Sequence, residues 1–493
     1  MIALCGISKT EFISSIRRAA GGLAMSASLL AAGCATVGPD YVKPDTSFST
    51  TWHSELKGGL IVGEMNPRTL AAWWSTLNDP ELSSLIDRAV SGNLDLKKTR
   101  ARVREARARR GIAKTGLFPT FNAAGSATWT ESSNDNGTIR TSETSDLYTA
   151  SFDAGWEIDI FGSVRRSIEA AEADVGASQE DLRDVLVSLL AEVAINYLDL
   201  RTFQSRLAIA EGNLEAQNET YQLTLWRYQA GLSDELSVQQ ARYNLDNTRT
   251  QLPTLRTGKE EALNRIAVLL GEQPGKVHSL LEQRVSMPVI PLKLAIGVPA
   301  DVLKNRPDVR RAERELAAQS ARIGVATANL YPKLTVSGFI GIETLSVSNL
   351  PTSQKWALNV GPGITWAIFK AGAIRQNIEV QSALHEQTLI KYEAAILSAL
   401  KDVENALVAY TEEQNRRDDL REAAQAAQKA VELAKYKYQS GLADFNNVLE
   451  AQRSLLTFQD QLAQSNGTAI SNLVRLYKAF GGGWTSIVSD EKK

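Results

Sequence analysis

Between Tyr148 and Ile160 the chain alternates with a period of two. Tyr148, Ala150, Phe152, Ala154, Trp156, Ile158 and Ile160 fall on one side, and Thr149, Ser151, Asp153, Gly155, Glu157 and Asp159 on the other. The pattern returns as Trp356, Leu358, Val360, Pro362, Ile364, Trp366 and Ile368 against Ala357, Asn359, Gly361, Gly363, Thr365 and Ala367. Such alternation places one apolar and one polar face on a β-strand. A plainer run precedes each, Phe121–Thr130 and Leu334–Gly341, with polar loops at Glu131–Asp146 and Glu343–Gln354 between the members of each pair. A soluble sandwich would show many short strands with turns every 8–12 residues or so. Here there are four, each of about the 9–11 residues or more that cross a bilayer at a tilt. Trp129, Trp156, Trp356 and Trp366 stand within or at the ends of these runs, where an interfacial aromatic girdle would lie.

A spanning sheet must satisfy every backbone group and therefore close on itself. Four strands cannot close, and about eight make the smallest useful barrel. The chain is thus expected to oligomerise: a trimer would supply twelve strands and an open lumen, a dimer eight and a plugged one.

The strands sit inside a duplication. Tyr228-Gln229-Ala230-Gly231-Leu232 returns 210 residues later as Tyr438-Gln439-Ser440-Gly441-Leu442. Gly116-Leu117-Phe118-Pro119 returns as Asn329-Leu330-Tyr331-Pro332, and Ile160-Phe161-Gly162 is echoed by Ile368-Phe369-Lys370. A repeat this long is a doubled supersecondary unit, not the 20–50-residue period of a solenoid.

Long helices follow each strand pair. Ser163–Gln229 and Gly372–Gln439 hold no proline, and at about 1.5 Å per residue each predicts a rod of roughly 100 Å. Leu182, Leu186, Leu189, Val193, Asn196, Leu200, Phe203, Leu207, Ala210 and Leu214 form a heptad seam with one polar member, continued in the second copy by Ile396, Leu400, Val403, Leu407 and Tyr410. Strand passes to helix within a few residues, so barrel and helices are expected to be coaxial, the helices of all copies forming a second tube. Each rod is expected to turn at Gly231 or Gly441 and return through a helix capped by Ser233 or Asp234, and by Asp444 in the second copy. Pro253 is expected to interrupt the first returning helix, and Gly271–Pro299, with Pro274, Pro288, Pro291 and Pro299, reads as a loop-rich linker packed outside the tube.

The amino terminus carries a secretory pattern: Lys9, Arg17 and Arg18, an apolar stretch from Ala19 to Ala32, then Gly33-Cys34. Small residues before a Cys resemble the bacterial lipobox, with Leu30 one place early and Ala31 in the usual Leu position. Ala35 is no retention signal, so the resemblance implies outer-membrane sorting. Cys5 would leave with the signal, leaving Cys34 alone and no disulfide within one protomer. No internal apolar run reaches the 18 residues or so of a membrane helix. Net charge is −2, too balanced to argue for nucleic acid. The cluster Arg100, Arg102, Arg104, Arg107, Arg109 and Arg110 spreads around a helix and reads as a solvated face. His53, His278 and His385 lie far apart without a metal or nucleophile motif, so no catalysis is expected.

The chain resembles the TolC/NodT-type outer membrane factors, the outer-membrane efflux lipoproteins of tripartite pumps. The residues that carry the likeness are Val37-Gly38-Pro39-Asp40-Tyr41, Trp73-Trp74 with Asp79-Pro80-Glu81-Leu82, Arg306-Pro307-Asp308-Val309, Gly441-Leu442 with Glu450-Ala451-Gln452, and Gly481-Gly482-Gly483-Trp484. The resemblance covers essentially all of the mature chain. It implies a mixed α/β membrane protein: a homotrimeric twelve-stranded transmembrane β-barrel, four strands per chain, continued by a long periplasmic α-helical barrel with an equatorial belt. Its parts would be a signal peptide (1–33), a lipidated extended segment (34–79), a helical segment (80–118), a first transmembrane hairpin (119–160), a first helical hairpin (161–270) and an equatorial linker (271–299). A second helical segment (300–331), transmembrane hairpin (332–368), helical hairpin (369–480) and tail (481–493) would complete it.

The resemblance further implies a periplasmic gate at Tyr438, Asp444 and Glu450, with Asn447 where some members have a second Asp and Ala443 where some have a latch Arg. Tips at Gly231, Leu232, Gly441 and Leu442 would meet a periplasmic adaptor, itself joined to an inner-membrane pump of the RND type. The implied function is an exit duct passively exporting small molecules such as drugs, with a covalent lipid on Cys34 and no other cofactor. A type I secretion duct is the alternative within the family. A lipid-anchored coiled-coil tether would have the helices but no use for the strands.

Overall fold

The computed structural model describes residues 36–45, 51–63, 66–135, 140–283, 285, 287–288, 294–297, 299–352 and 355–484. The signal region, Cys34 and residues 485–493 lie outside them. In chain order the first elements are β1 (Leu60–Val62), α1 (Pro67–Ala71), a 3-10 turn (Trp73–Leu77), α2 (Pro80–Gly92), α3 (Leu94–Thr115), β2 (Thr120–Asp135) and β3 (Arg140–Ile158). Then come α4 (Ser163–Gln229), α5 (Glu235–Leu269), α6 (His278–Leu281), β4 (Leu294–Ile296), α7 (Pro299–Asn305) and α8 (Pro307–Ala328). The chain continues through β5 (Lys333–Thr344), β6 (Trp356–Thr365), α9 (Ala373–Gln439) and α10 (Phe445–Ala479). It divides into two compact units, one of 1–44, 104–177 and 313–391, the other of 45–103, 178–312 and 392–493.

The first unit holds an antiparallel sheet of order β2-β3-β5-β6. Its register aligns the alternation of all four strands. Phe121 lies opposite Ala154 and Ala123 opposite Phe152; Phe152 pairs with Ile340, and Ile340 with Leu358. One face of the sheet is therefore apolar throughout, from Trp129 and Tyr148 to Ile342 and Trp356. The other carries Asn122, Ser126, Thr149, Asp153, Thr335 and Asn359. Leu147 and Phe339 are apolar exceptions on the polar face; the Phe339 ring covers Gly341, where a Cβ would lie 2.6 Å from Phe339 Cζ.

The strands do not end where their apolar alternation ends. The polar segment expected as the loop Glu131–Asp146 is mostly ladder, with Glu131 opposite Thr144 and Asp135 opposite Arg140. Its Ser and Thr residues accept an extended backbone, and each added pair satisfies amide groups the strands already align. The second loop, expected at Glu343–Gln354, begins inside β5 and contains a 3-10 turn, Val347–Thr352. At the other end β6 stops at Thr365, so Trp366 and Ile368 leave the strand. There Ile368 N donates back to Trp366 O (3.1 Å), as Ile160 N does to Ile158 O (2.9 Å), and each such tight turn takes a donor from the ladder. The duplication extends to the indoles: Trp156 Nε1 donates to Leu117 O and Trp366 Nε1 to Leu330 O, both at 3.0 Å.

Thr36–Asp40 pack tightly within this unit. Val37 N donates to Phe161 O (3.2 Å), and the buried Arg166 donates to Val37 O, Gly38 O and the Asp40 carboxylate. Gly38 has φ +87°, and a Cβ there would sit 2.4 Å from Gly324 Cα. No side chain fits at that crossing.

The second unit is built on α4, α5, α9 and α10. Leu182, Leu186, Leu189, Val193, Leu200 and Ala210 of the α4 seam are buried, as are Ile396, Val403, Leu407 and Tyr410 of α9. The polar member Asn196 accepts from Arg265 Nε at 2.6 Å. Pro253 lies inside α5 without interrupting it, contrary to expectation. Proline removes one donor from a helix interior, and here that loss sits within a continuous helix of 35 residues.

The amino-terminal segment is not simply extended, since it includes β1, α1 and the 3-10 turn. Trp73 stacks on Tyr477 at 5.6 Å. Asp79 caps α2 through Leu82 N (3.0 Å) while accepting from Tyr197 OH (2.7 Å); burial first, and that bond second, push the Tyr197 hydroxyl pKa well up. Within the linker, β4 pairs in parallel with β1, Trp52 Nε1 donates to Gly297 O (2.9 Å), and Val277, Leu281 and Ile296 are buried.

Arg306 holds this core together by donating to Ala399 O, Ala479 O, Asp308 and Asp402. Burial opposes its charge, but the two carboxylates outweigh burial and raise its pKa. Burial likewise pulls the Asp308 carboxyl upward, and the Arg306 hydrogen bond and charge overcome it and hold the carboxyl below its usual value. The guanidinium groups of Arg183 (4.5 Å) and Arg310 (5.3 Å) both lie over the Trp484 ring.

Candidate functional site: the paired helical tips

Both long helices end in the same motif. Gly231 N donates to Tyr228 O and Leu232 N to Arg227 O; Gly441 N donates to Tyr438 O and Leu442 N to Lys437 O. Both glycines have φ +75°, the left-handed residue of a Schellman cap. The motif leaves Leu232 (69 %) and Leu442 (76 %) exposed at the turns. The returning helices start differently. Asp234 caps α5 through Ser237 N at 2.9 Å, and its hydrogen bonds with Ser237 lower its pKa. Asp444 occupies the N-cap position of α10, but its side chain makes no capping bond; the side-chain cap expected there is not formed.

Behind the turns, the two hairpins grip each other. Ala241 of α5 packs with Phe445 and Leu449 of α10, and Tyr221 and Tyr438 cover them. The Tyr438 ring meets Phe445 at 5.2 Å and receives the Arg227 guanidinium at 4.8 Å. A second clamp lies nearby: Arg453 sits 4.8 Å over Tyr243 and donates to Asn244 Oδ1 at 2.9 Å. Deeper still, buried Gln452 donates to Thr220 Oγ1 at 2.9 Å.

Of the expected gate residues, Tyr438 is therefore engaged within its own chain. Glu450 is exposed, its side chain 74 % accessible and 3.9 Å from Arg453. Asp444 is exposed and apart from that pair. Reading the sequence forward missed Arg227, Tyr243, Asn244 and Arg453. A signal was present in the duplication, because Tyr243 and Arg453 occupy equivalent positions 210 residues apart. The two copies diverged there into an aromatic and a cation that face each other.

Comparison with known proteins accords with this architecture. Residues 85–272 and 298–482 match the family described as outer membrane efflux protein. Nodulation protein T of Rhizobium leguminosarum bv. trifolii is 32% identical over 469 residues, 93% of this chain and 97% of that protein. The toluene efflux pump outer membrane protein TtgF of Pseudomonas putida is 30% identical over 480 residues, 95% of this chain and 98% of its own. Among solved structures, the outer-membrane channel OprN superposes with a TM-score of 0.84 at 36% identity, covering 91% of this chain and 100% of that one. Four amphipathic strands, duplicated helical hairpins and these matches agree: the chain belongs to the outer membrane efflux protein family and is an outer-membrane channel of efflux pumps, not an enzyme.

Proposed function

We propose that three copies close their sheets into a twelve-stranded barrel, and that this trimer is the passive exit duct for small molecules, drugs among them. The observation that carries the reading is the sheet itself. One face is apolar between Trp129 and Tyr148 at one end and Ile342 and Trp356 at the other, and its outer strands β2 and β6 have no further strand beside them among the described residues. In lipid such edges need partners, and three copies give a lumen where two would be plugged. The similarity to a toluene efflux component favours small apolar cargo.

In this reading Cys34 carries a covalent lipid in the outer membrane, and the tips at Gly231, Leu232, Gly441 and Leu442 meet a periplasmic adaptor. An RND-type inner-membrane pump then supplies the cargo. The exposed leucines at turns of identical geometry offer the adaptor small apolar knobs. Tyr438, Asp444 and Glu450 form the gate, Tyr438 by fixing one hairpin to the other and Glu450 by presenting one exposed carboxylate per copy. Three such carboxylates around one axis would attract cations.

Native mass spectrometry of detergent-purified protein is expected to show three copies, and a stable monomer with unchanged strand content would defeat the barrel. In planar bilayers Glu450→Gln should weaken block by divalent cations. Unchanged block with normal insertion would place the constriction elsewhere.

A further inference from the structure

We infer that adjacent copies are joined, on the periplasmic side of the sheet, by an antiparallel charge ladder pairing Lys114 and Arg107 of α3 with Glu379 and Glu386 of the next copy's α9. This rests on the closure proposed above. All four residues belong to the strand-bearing unit. They are exposed, and among the described residues none has a charged partner in its own chain. Three neighbouring arginines of the same helix are engaged within the chain: Arg110 with Glu172 (2.8 Å), Arg109 with Glu105 (2.8 Å) and Arg102 with Asp181 (3.6 Å). Lys114 and Arg107 lie one heptad apart, as do Glu379 and Glu386, so each pair occupies one helical face.

Connectivity brings the two faces together. Helix α3 runs into β2 and α9 runs out of β6, the two outer strands of the sheet. When β6 of one copy meets β2 of the next, α9 is laid antiparallel beside the neighbour's α3. The duplication sets the level. Inside one chain, the equivalent α4–α8 contact is marked by Asp174 and Arg322 at 2.6 Å. Shifted by the repeat offsets of 210 and 213, these become positions 384 on α9 and 109 on α3. Glu379 precedes 384 by five and Lys114 follows 109 by five; Glu386 follows by two and Arg107 precedes by two. In an antiparallel pair both rungs therefore stand level.

Beside the rungs the facing surfaces are small and uncovered in the single chain. Gly111 has nothing within 4 Å of an added Cβ. Ala108 and Ala383 are exposed, and Val380 is 52 % exposed. Ala108 stands near the level of Ala383 and Gly111 near that of Val380, so the helices can approach closely along an alanine–glycine strip with the charges at its margin.

The test is a charge swap read by trimer survival. Glu379→Lys with Glu386→Lys should leave a several-fold smaller trimer fraction after a fixed SDS and heat challenge than wild type, most strongly at low ionic strength. Adding Lys114→Glu and Arg107→Glu to the same chain should restore it. Independently, a chain carrying Ala108→Cys and Ala383→Cys should oxidise to a covalent trimer, and neither single variant should, which also controls for Cys34. If wild type itself is not trimeric, the closure fails before the seam is reached. If wild type is trimeric but the reversal has no effect and the paired cysteines do not join copies, the ladder is overturned.

Discussion

Arg227 and Tyr438 show what one residue pair adds to an otherwise symmetric design. The tip turns repeat each other down to the φ of their glycines, yet among the described residues the pair equivalent to Arg227 and Tyr438, Lys437 and Tyr228, makes no such contact. A cation over a partly exposed aromatic ring contributes about 0.5–1 kcal/mol, enough to bias the proposed gate without locking it. Tyr438→Ala removes both this contact and the Phe445 packing, and should raise resting conductance in planar bilayers. Tyr438→Phe keeps ring and cation and should behave as wild type; equal leakage from both would assign the effect to the hydroxyl. The tip glycines could be read from the repeated Tyr-Gln-x-Gly-Leu. The clamps were harder to read, because Arg227 and Tyr438, like Tyr243 and Arg453, stand some 210 positions apart and meet only after both hairpins have packed, leaving the duplication as the one signal.

Arg306 behaves differently because it is buried. Arg306→Ala would leave Asp308 and Asp402 without their cation; losing one member of a fully buried pair costs about 3–5 kcal/mol, and the partial exposure of the two carboxylates, 25 % and 42 %, brings the loss here below that. Asp308 is held below its ordinary pKa, so its stabilisation is fully present above the unfolded carboxylate value near ~4 and disappears as pH falls through the lower folded value. Thermal melts below that pH should bring wild type toward Asp308→Asn, while the two stay well separated at neutral pH.

Among elements, the strands were the most legible and their ends the least. Alternation reports the lipid a strand crosses, whereas the hydrogen-bonded ladder continues as long as two backbones stay aligned. Hence β2 and β3 run on through Ser132 and Thr144, which carry no apolar signal. The opposite error arose at Trp366 and Ile368, which are apolar but belong to the turn into α9. Pro253 misled for a related reason, since a local breaker counts for less within a long packed helix. Leu358, placed between Ile340 and the unpaired edge of the sheet, tests the assigned face. Leu358→Arg should lower stability in bilayers by roughly 2–4 kcal/mol if it lies at mid-membrane. Thr149→Arg, on the other face, should lose far less by the same urea titration.

For the whole molecule, strand number gave the expectation of several copies before any fold was at hand, because four strands leave edges that one chain cannot cover. The chain's own core was only partly foreseeable: the heptad seam on α4 was visible, but the β1–β4 pairing joins segments more than two hundred residues apart. The proposed lipid on Cys34 also acts at this scale. Cys34→Ser should abolish labelling by a fatty-acid analogue yet leave trimers assembled, since one acylated residue adds little to an inserted barrel. Labelling of the serine variant would reassign the anchor.

Thr36 through Asp40, seated against Gly324 and gripped by Arg166, set how that lipid can move. Cys34 and Thr36 are two residue steps apart, with Ala35 between them, a reach of about 7 Å, and Val37 is bonded to Phe161 just beyond β3. In the proposed lipoprotein a leash this short would make the acyl chains a mooring at the barrel wall. They would then enter the bilayer at one fixed bearing per copy, and the lipids packed there would travel with the protein.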